Sequence, residues 1–124
     1  MKHWGEWFVA GRYIWRRNNK EGLYWRLPVE FDSEEDAQKV MADLNEQERL
    51  NQAYWETGLS GIYREWCCVD GNIFRNAIGG TEAYVLPLSK AFKEGLNETA
   101  IDVFGTLIAT GLNLIEQQNK EEKA

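Results

Sequence analysis

Few side chains in this 124-residue chain could perform covalent or acid–base chemistry. The single histidine, His3, lies near the N-terminus, with no serine or cysteine close in sequence for it to activate as a nucleophile. The glycine pair Gly79-Gly80 lacks the lysine and hydroxyl residues of a phosphate-binding loop. Carboxylates such as Glu65 and Asp70 have no pocket that the sequence defines. We therefore predict a binding protein without a catalytic site.

Candidate binding residues are concentrated in the first 26 positions, which hold six basic and two acidic side chains. Residues 7–17 and 23–31 alternate with the period of a β-strand, and the turn-forming segment 18–22 separates them. If Trp15 faces Trp25 across this hairpin, arginines and a tyrosine lie on its outer face. They are Arg12, Arg16, Tyr24 and Arg26, a set suited to a carboxylate- or phosphate-bearing partner. The alternative is a solvated face whose arginines pair with the chain's own carboxylates.

Tryptophans supply further candidates. Trp4 and Trp7 are predicted to anchor a protein partner together with these arginines, because tryptophan and arginine often dominate binding energy. In the alternative, the two indoles hold the N-terminal segment onto the sheet. Trp66 and Arg75 face each other in a second predicted hairpin, and they are the alternative candidates for a cleft at a subunit boundary that binds a nucleotide-like anion.

Composition excludes several classes of function. The net charge of −6 and a pI near 4.8 argue against direct DNA or RNA binding. One histidine and two cysteines cannot form a four-ligand zinc site or a disulfide framework, so we expect no metal, no cofactor and reduced thiols at Cys67 and Cys68. The sequence contains neither a signal-peptide pattern nor a run of about 20 apolar residues, so we expect a cytoplasmic protein that binds no membrane.

The pattern of elements predicts a single α+β domain over residues 1–124. Its core is an antiparallel sheet of about five strands, formed by two hairpins plus one strand, with helices packed mainly on one face. The predicted elements are a hairpin at 1–31, a helix or helix pair at 33–56, a hairpin plus strand at 62–87 and a C-terminal helix at 98–118. A two-residue turn at Asp70-Gly71 places Cys68 opposite Ile73. We detect no internal repeat.

The predicted C-terminal helix has a wider apolar face than one sheet would cover. Two small residues one turn apart, Gly105 and Ala109, would allow close approach of another helix. We therefore predict a homodimer through this face, with a contact formed by Phe104, Gly105, Ile108, Ala109 and Leu112.

The segment Leu27-Pro28-Val29-Glu30-Phe31-Asp32-Ser33-Glu34-Glu35-Asp36-Ala37, a strand followed by a capped helix, resembles a module of small accessory proteins of bacteriophages and mobile elements. The resemblance covers about the first third of the chain. It implies an antagonist of a host or defence system that acts stoichiometrically, as anti-CRISPR proteins do, and it assigns no functional residue. We therefore expect a non-catalytic protein that occupies a macromolecular partner. A small-ligand receptor and a structural subunit of an assembly are the alternatives.

Overall fold

A computed structural model describes residues 2–58, 61–78, 83–88 and 93–121. In chain order, the first half contains β1 (Phe8–Ala10), β2 (Tyr13–Arg17), β3 (Tyr24–Arg26) and α1 (Glu34–Trp55). The second half contains β4 (Cys67–Val69), β5 (Asn72–Asn76), β6 (Ala83–Val85) and α2 (Glu98–Glu121). The mixed α+β class is as predicted. The single five-stranded sheet is wrong, because the strands form two separate three-stranded antiparallel sheets, β1-β2-β3 and β4-β5-β6.

The second hairpin has the predicted register. Asp70 and Gly71 both have positive φ, 51° and 77°, which suits a tight turn between antiparallel strands. Cys68 pairs with Ile73, as predicted from that turn. The predicted strand that follows is β6, which pairs with β5 at the edge of the sheet.

The first hairpin differs from the prediction, because residues 7–17 are not one strand. Gly11 has a φ of 67° and begins a two-residue turn between β1 and β2, so that Val9 faces Ile14. Because of this turn, the even-numbered residues of β2 face the core, whereas the prediction placed its odd-numbered residues there. Trp15 consequently pairs with Arg26 instead of Trp25, a slip of one residue.

The second half of the chain repeats the first. Each strand recurs 59 positions later, as residues 8 to 67 and 24 to 83 illustrate. The isolated bridge between Trp4 and Asn18 also recurs, between Tyr63 and Ala77. Identity is retained mainly at buried positions, as in the pairs Trp7 and Trp66, Ile14 and Ile73, Arg16 and Arg75, and Leu27 and Leu86. The prediction that no internal repeat exists is therefore wrong.

Each helix packs on the sheet of its own half. The Ser33 hydroxyl accepts a hydrogen bond from the Asp36 N–H at 3.0 Å, and α1 runs from there without interruption. Asn97 caps α2 in the same way, through the N–H of Ala100. A single apolar core joins the two halves and contains Ile14, Phe31, Val40, Leu44, Ile73, Leu86, Ile108 and Leu112. Burial of these side chains supplies most of the stability of the fold.

The structure corrects the predicted homodimer contact on α2. Gly105, Ile108, Ala109 and Leu112 are buried within their own chain. A Cβ atom added at Gly105 would lie 2.5 Å from the Cys68 Sγ atom, so this glycine allows close approach of the chain's own β4 strand and not of a second helix. Phe104 alone of the predicted contact residues is exposed.

Candidate functional site

The uncovered face of the first sheet is built by cross-strand neighbours. Phe8, Trp15 and Arg26 form one row across the three strands, and Arg17 and Tyr24 form the next. Directly paired residues point to the same side of a sheet, and the opposite side holds buried Ile14, so this face is turned away from the core. We call it the basic-aromatic face, which consists of Phe8, Tyr13, Trp15, Arg17, Tyr24 and Arg26.

Arg26 is held over aromatic rings. Its guanidinium carbon lies 4.1 Å from the ring centre of Tyr13 and 5.6 Å from that of Trp15. Among the residues that the structure describes, Arg26 has no ion-pair partner. Stacking orients a guanidinium group while its N–H donors stay available. The arrangement therefore suits a planar anion such as a carboxylate.

Arg17 and Tyr24 extend this face. Arg17 is exposed, donates a hydrogen bond from Nη1 to Asn19 Oδ1 at 3.1 Å, and also lacks an ion pair in the described part of the chain. Tyr24 is 58% exposed and packs edge-on against Phe8 with ring centres 6.0 Å apart. The face thus combines unpaired positive charge with accessible aromatic surface.

Four residues of the predicted partner-binding set do not lie on this face, and three of them, Arg16, Trp7 and Trp4, are buried or half-buried. Arg16 is buried, and it donates hydrogen bonds to the Gly5 carbonyl and to both carboxylate oxygens of Glu48. Trp7 is also buried, and the Arg16 guanidinium lies 4.9 Å from its ring centre. Trp4 is half-buried, and its main-chain N–H and carbonyl groups bind the Asn119 side chain of α2, so these bonds hold the N-terminal segment against a helix, whereas the alternative interpretation expected the sheet.

The remaining members of that set are exposed. Arg12 and Arg26 are both accessible, as is Tyr24. Arg12 lies in the β1–β2 turn, where it forms an ion pair with Glu30 that is open to solvent. Exposed pairs of this kind contribute little to stability and are easily exchanged for another carboxylate. Sequence reasoning overlooked Arg17 and Trp15, because the predicted register, one residue out of step, places both on the inner side of the hairpin.

The equivalent face of the second sheet has a different chemistry. Asn76, Val85 and Ala83 lie 59 positions after Arg17, Arg26 and Tyr24, respectively, and are their equivalents in the second sheet. The whole equivalent set, Cys67, Asn72, Phe74, Asn76, Ala83 and Val85, carries no charge. The repeat therefore preserves the interior and changes this surface.

The interior of each half contains a matched polar network. Asn45 of α1 binds both main-chain groups of Trp7, with distances of 2.9 and 3.0 Å. Asn113 of α2 binds the same two groups of Trp66, at 2.7 and 2.9 Å. The ion pair between Arg16 and Glu48 likewise recurs between buried Arg75 and Glu116.

Two further amides connect these networks across the halves. Asn51 of α1 donates to Glu116 of the second half at 2.7 Å, and Asn119 of α2 donates to Glu48 of the first half at 3.3 Å. The contacts are reciprocal, as across an approximate twofold axis. The sequence signal for this arrangement was present in the shared spacing from Trp7 to Arg16 and from Trp66 to Arg75.

Two clefts with equivalent linings lie beside these networks, with volumes of about 440 and 470 Å³, and the first of them is lined by residues of both halves. Arg75 lines the first cleft, whereas Trp66 packs beneath it with the Arg75 guanidinium 4.9 Å from its ring centre. The wall of that cleft includes two aromatic side chains, Trp55 and Tyr63, and two basic ones, Arg64 and Lys120. Trp66 and Arg75 thus form a buried cation–π pair, and of these two candidate residues only Arg75 lines the cleft.

No protein-family model, curated protein or solved structure matches this chain. Within the described residues, no group of three or more His, Cys, Asp or Glu side chains could hold a metal ion. Both cysteines are free thiols.

Proposed function

We propose that this protein is a non-catalytic binding protein that occupies an acidic surface of a protein partner through its basic-aromatic face. The supporting observation is the difference between the two sheets, because equivalent positions are basic and aromatic in one and uncharged in the other. A scaffold needs neither arginine at these exposed positions, since the second sheet forms without them.

The chemistry of the face indicates the class of partner. Arg17 and Arg26 lack a carboxylate within the described chain, so an external carboxylate can bind without displacing an internal one. Tyr24 and the stacked rings beneath Arg26 provide rigid apolar area of the kind found in binding hot spots. Residues 27–31 follow β3 and form no strand of their own, so the resemblance of residues 27–37 to accessory proteins of bacteriophages rests on sequence alone. On that resemblance we propose a component of a host defence system as the partner.

Charge reversal tests this assignment. The double variant Arg17→Glu/Arg26→Glu is expected to lose the partner that the wild-type chain captures from its native host. The matched control, Asn76→Glu/Val85→Glu, introduces the same side chains at the equivalent positions of the second sheet and should retain the partner. Circular dichroism verifies that both variants fold. Equal capture by the two variants would refute the basic-aromatic face as the contact.

A second candidate function is a receptor for a nucleotide-like anion in the cleft lined by Arg75. The observation that favours it is the combination of the partly exposed Tyr63 ring, with Trp55 buried behind the cleft wall, and two basic side chains, Arg64 and Lys120, that have no ion pair among the described residues. Aromatic rings can stack on a base while the cations bind a phosphate.

Thermal shift with nucleoside monophosphates, and with inorganic phosphate as the comparison, tests the receptor. Binding to the native state alone raises the melting temperature. The variant Arg64→Glu should abolish the increase, whereas Arg17→Glu, which does not line this cleft, should not. A melting temperature that no nucleotide changes would exclude this function.

A further inference from the structure

The outward face of α2 carries an uncharged stripe, apolar at three of its five positions, with the spacing of a coiled-coil seam. Its positions are 103, 107, 110, 114 and 117, which alternate steps of four and three residues. Val103, Leu107 and Leu114 are 53%, 61% and 58% exposed, so the described chain leaves them uncovered. We call this stripe the α2 seam, which consists of Val103, Leu107, Thr110, Leu114 and Gln117.

The equivalent positions of α1 are adapted to water. The two helices can be aligned through the equivalent networks, so that Asn45 corresponds to Asn113 and Glu48 to Glu116. In this alignment the α2 seam corresponds to five residues of α1. They are Glu35, Lys39, Ala42, Glu46 and Arg49. Four of these residues form two ion pairs on the surface of α1, between Lys39 and Glu35 at 3.7 Å and between Arg49 and Glu46 at 2.5 Å. The same stripe of the helix therefore carries ion pairs in the first half and mainly apolar side chains in the second.

The charges beside the seam argue against a lipid surface as its occupant. By length and mean hydropathy, α2 meets the criteria for a membrane span, although part of it packs on its own sheet. Its charged residues are four acidic ones and one lysine, Glu98, Asp102, Glu116, Lys120 and Glu121. Helices that lie on membranes are rich in lysine and arginine, because cellular bilayers are negatively charged. An acidic helix on a chain of net charge −6 lacks that attraction.

We propose that the α2 seam binds the α2 seam of a second copy of this chain in antiparallel orientation. An uncharged stripe is complementary to itself, which a twofold interface requires. Leu107 and Leu114 are placed nearly symmetrically about Thr110, so a twofold axis near Thr110 brings Leu107 of one copy beside Leu114 of the other.

Charge and dipole favour the same orientation. The N-terminal part of α2 carries Glu98 and Asp102, and Lys120 lies in its last turn. Antiparallel packing aligns the helix dipoles favourably and brings Lys120 of one copy towards Asp102 of the other, while the same last turn also carries Glu121. This interface lies on the opposite side of α2 from buried Gly105 and Ala109, so it replaces the dimer contact predicted from sequence and does not depend on the proposed partner.

Light scattering coupled to size-exclusion chromatography tests the dimer. The wild-type chain is expected to be a dimer, and Leu107→Glu/Leu114→Glu a monomer with an unchanged circular dichroism spectrum. The control Val69→Glu/Val85→Glu changes two residues of similar exposure, 54% and 50%, on the second sheet, and should remain dimeric. A monomeric wild-type chain, or a dimer that survives the double change on α2, would overturn the proposal.

Disulfide trapping tests the orientation. In a Cys67→Ser/Cys68→Ala background, chains with Leu107→Cys are mixed with chains with Leu114→Cys and oxidised. The antiparallel seam predicts a cross-link only in the mixture, because a disulfide needs Cα atoms within about 7 Å. Efficient cross-linking within either single population would indicate parallel packing and refute the proposed arrangement. Binding of a monomeric chain to anionic vesicles would refute it as well.

Discussion

Replacing Glu48 by alanine is expected to destabilise the fold severely, because it removes the carboxylate from a buried guanidinium group. Arg16 is 1% exposed and directs Nη1 and Nη2 to the two oxygens of Glu48. Its Nε group is bound to the Gly5 carbonyl and its plane lies over Trp7, so the side chain is fixed inside the protein. The Glu48→Ala variant therefore leaves a buried charge without compensation.

The expected loss is about 3 to 5 kcal/mol of unfolding free energy, the range for removing one partner of a buried ion pair. Two charge-assisted hydrogen bonds at about 1.5 to 3 kcal/mol each give a similar value. For a domain of this length, a loss of 1 kcal/mol lowers the melting temperature by about 4 °C, so the decrease should be about 12 to 20 °C.

Urea unfolding monitored by tryptophan fluorescence measures the effect, with Glu46→Ala as the matched control. Glu46 also accepts two hydrogen bonds from an arginine, Arg49, but both side chains are more than half exposed. The control should leave the urea midpoint nearly unchanged, since exposed ion pairs contribute little. If Glu48→Ala were no more destabilising than Glu46→Ala, the argument from burial would be wrong. A second variant, Arg16→Met/Glu48→Leu, removes both charges and should be more stable than Glu48→Ala.

Three further predictions concern the packing and titration of single residues. Asn45→Ala and Asn113→Ala should each cost about 1 to 3 kcal/mol in urea unfolding, and by similar amounts, because each leaves two main-chain groups without a partner; a large difference between them would contradict the equivalence of the halves. Gly105→Ala should lower the melting temperature through its contact with the Cys68 sulfur, and Gly105→Ala/Cys68→Ala should recover most of the loss. Burial raises the pKa of Tyr84, so its stabilising contribution is complete below the ordinary tyrosine pKa of about 10 and is lost as the pH rises above it; unfolding measured against pH should show a weaker alkaline decline in Tyr84→Phe.

The register of the second hairpin could be predicted because its turn is specified locally. Asp70-Gly71 strongly favours a tight hairpin turn, and this turn determined the pairing of Cys68 with Ile73. The N-terminal ends of both helices could also be predicted from sequence, since Ser33 and Asn97 have side chains that cap helices.

The first hairpin was mispredicted because its turn signal is weaker. Gly11 is followed by Arg12, which is not a preferred turn residue, and the alternating pattern continues across both positions. Since side chains alternate with a period of two, overlooking a two-residue turn exchanged the inner and outer sets of β2. The burial of Arg16 was missed for the same reason, and with it the true composition of the basic-aromatic face.

The repeat was hidden by two features. Equivalent strands are 59 positions apart, whereas equivalent helix residues are 68 apart, as 8 to 67 and 45 to 113 show, so no single offset aligns the halves. Most exposed positions also differ in chemistry, which leaves the shared residues scattered among buried sites. Only the three-dimensional contacts show that Glu48 and Glu116 have the same role.

Because the two halves belong to one chain, their equivalent surfaces can differ. In a symmetric pair of identical chains, one codon change alters both copies, so a new arginine on one sheet is accompanied by the same arginine on the other. A single chain with two similar halves is free of this coupling, because each half is encoded separately. The interior can therefore keep its matched pairs, Arg16 with Glu48 and Arg75 with Glu116, while one exterior acquires charge and the other acquires apolar side chains.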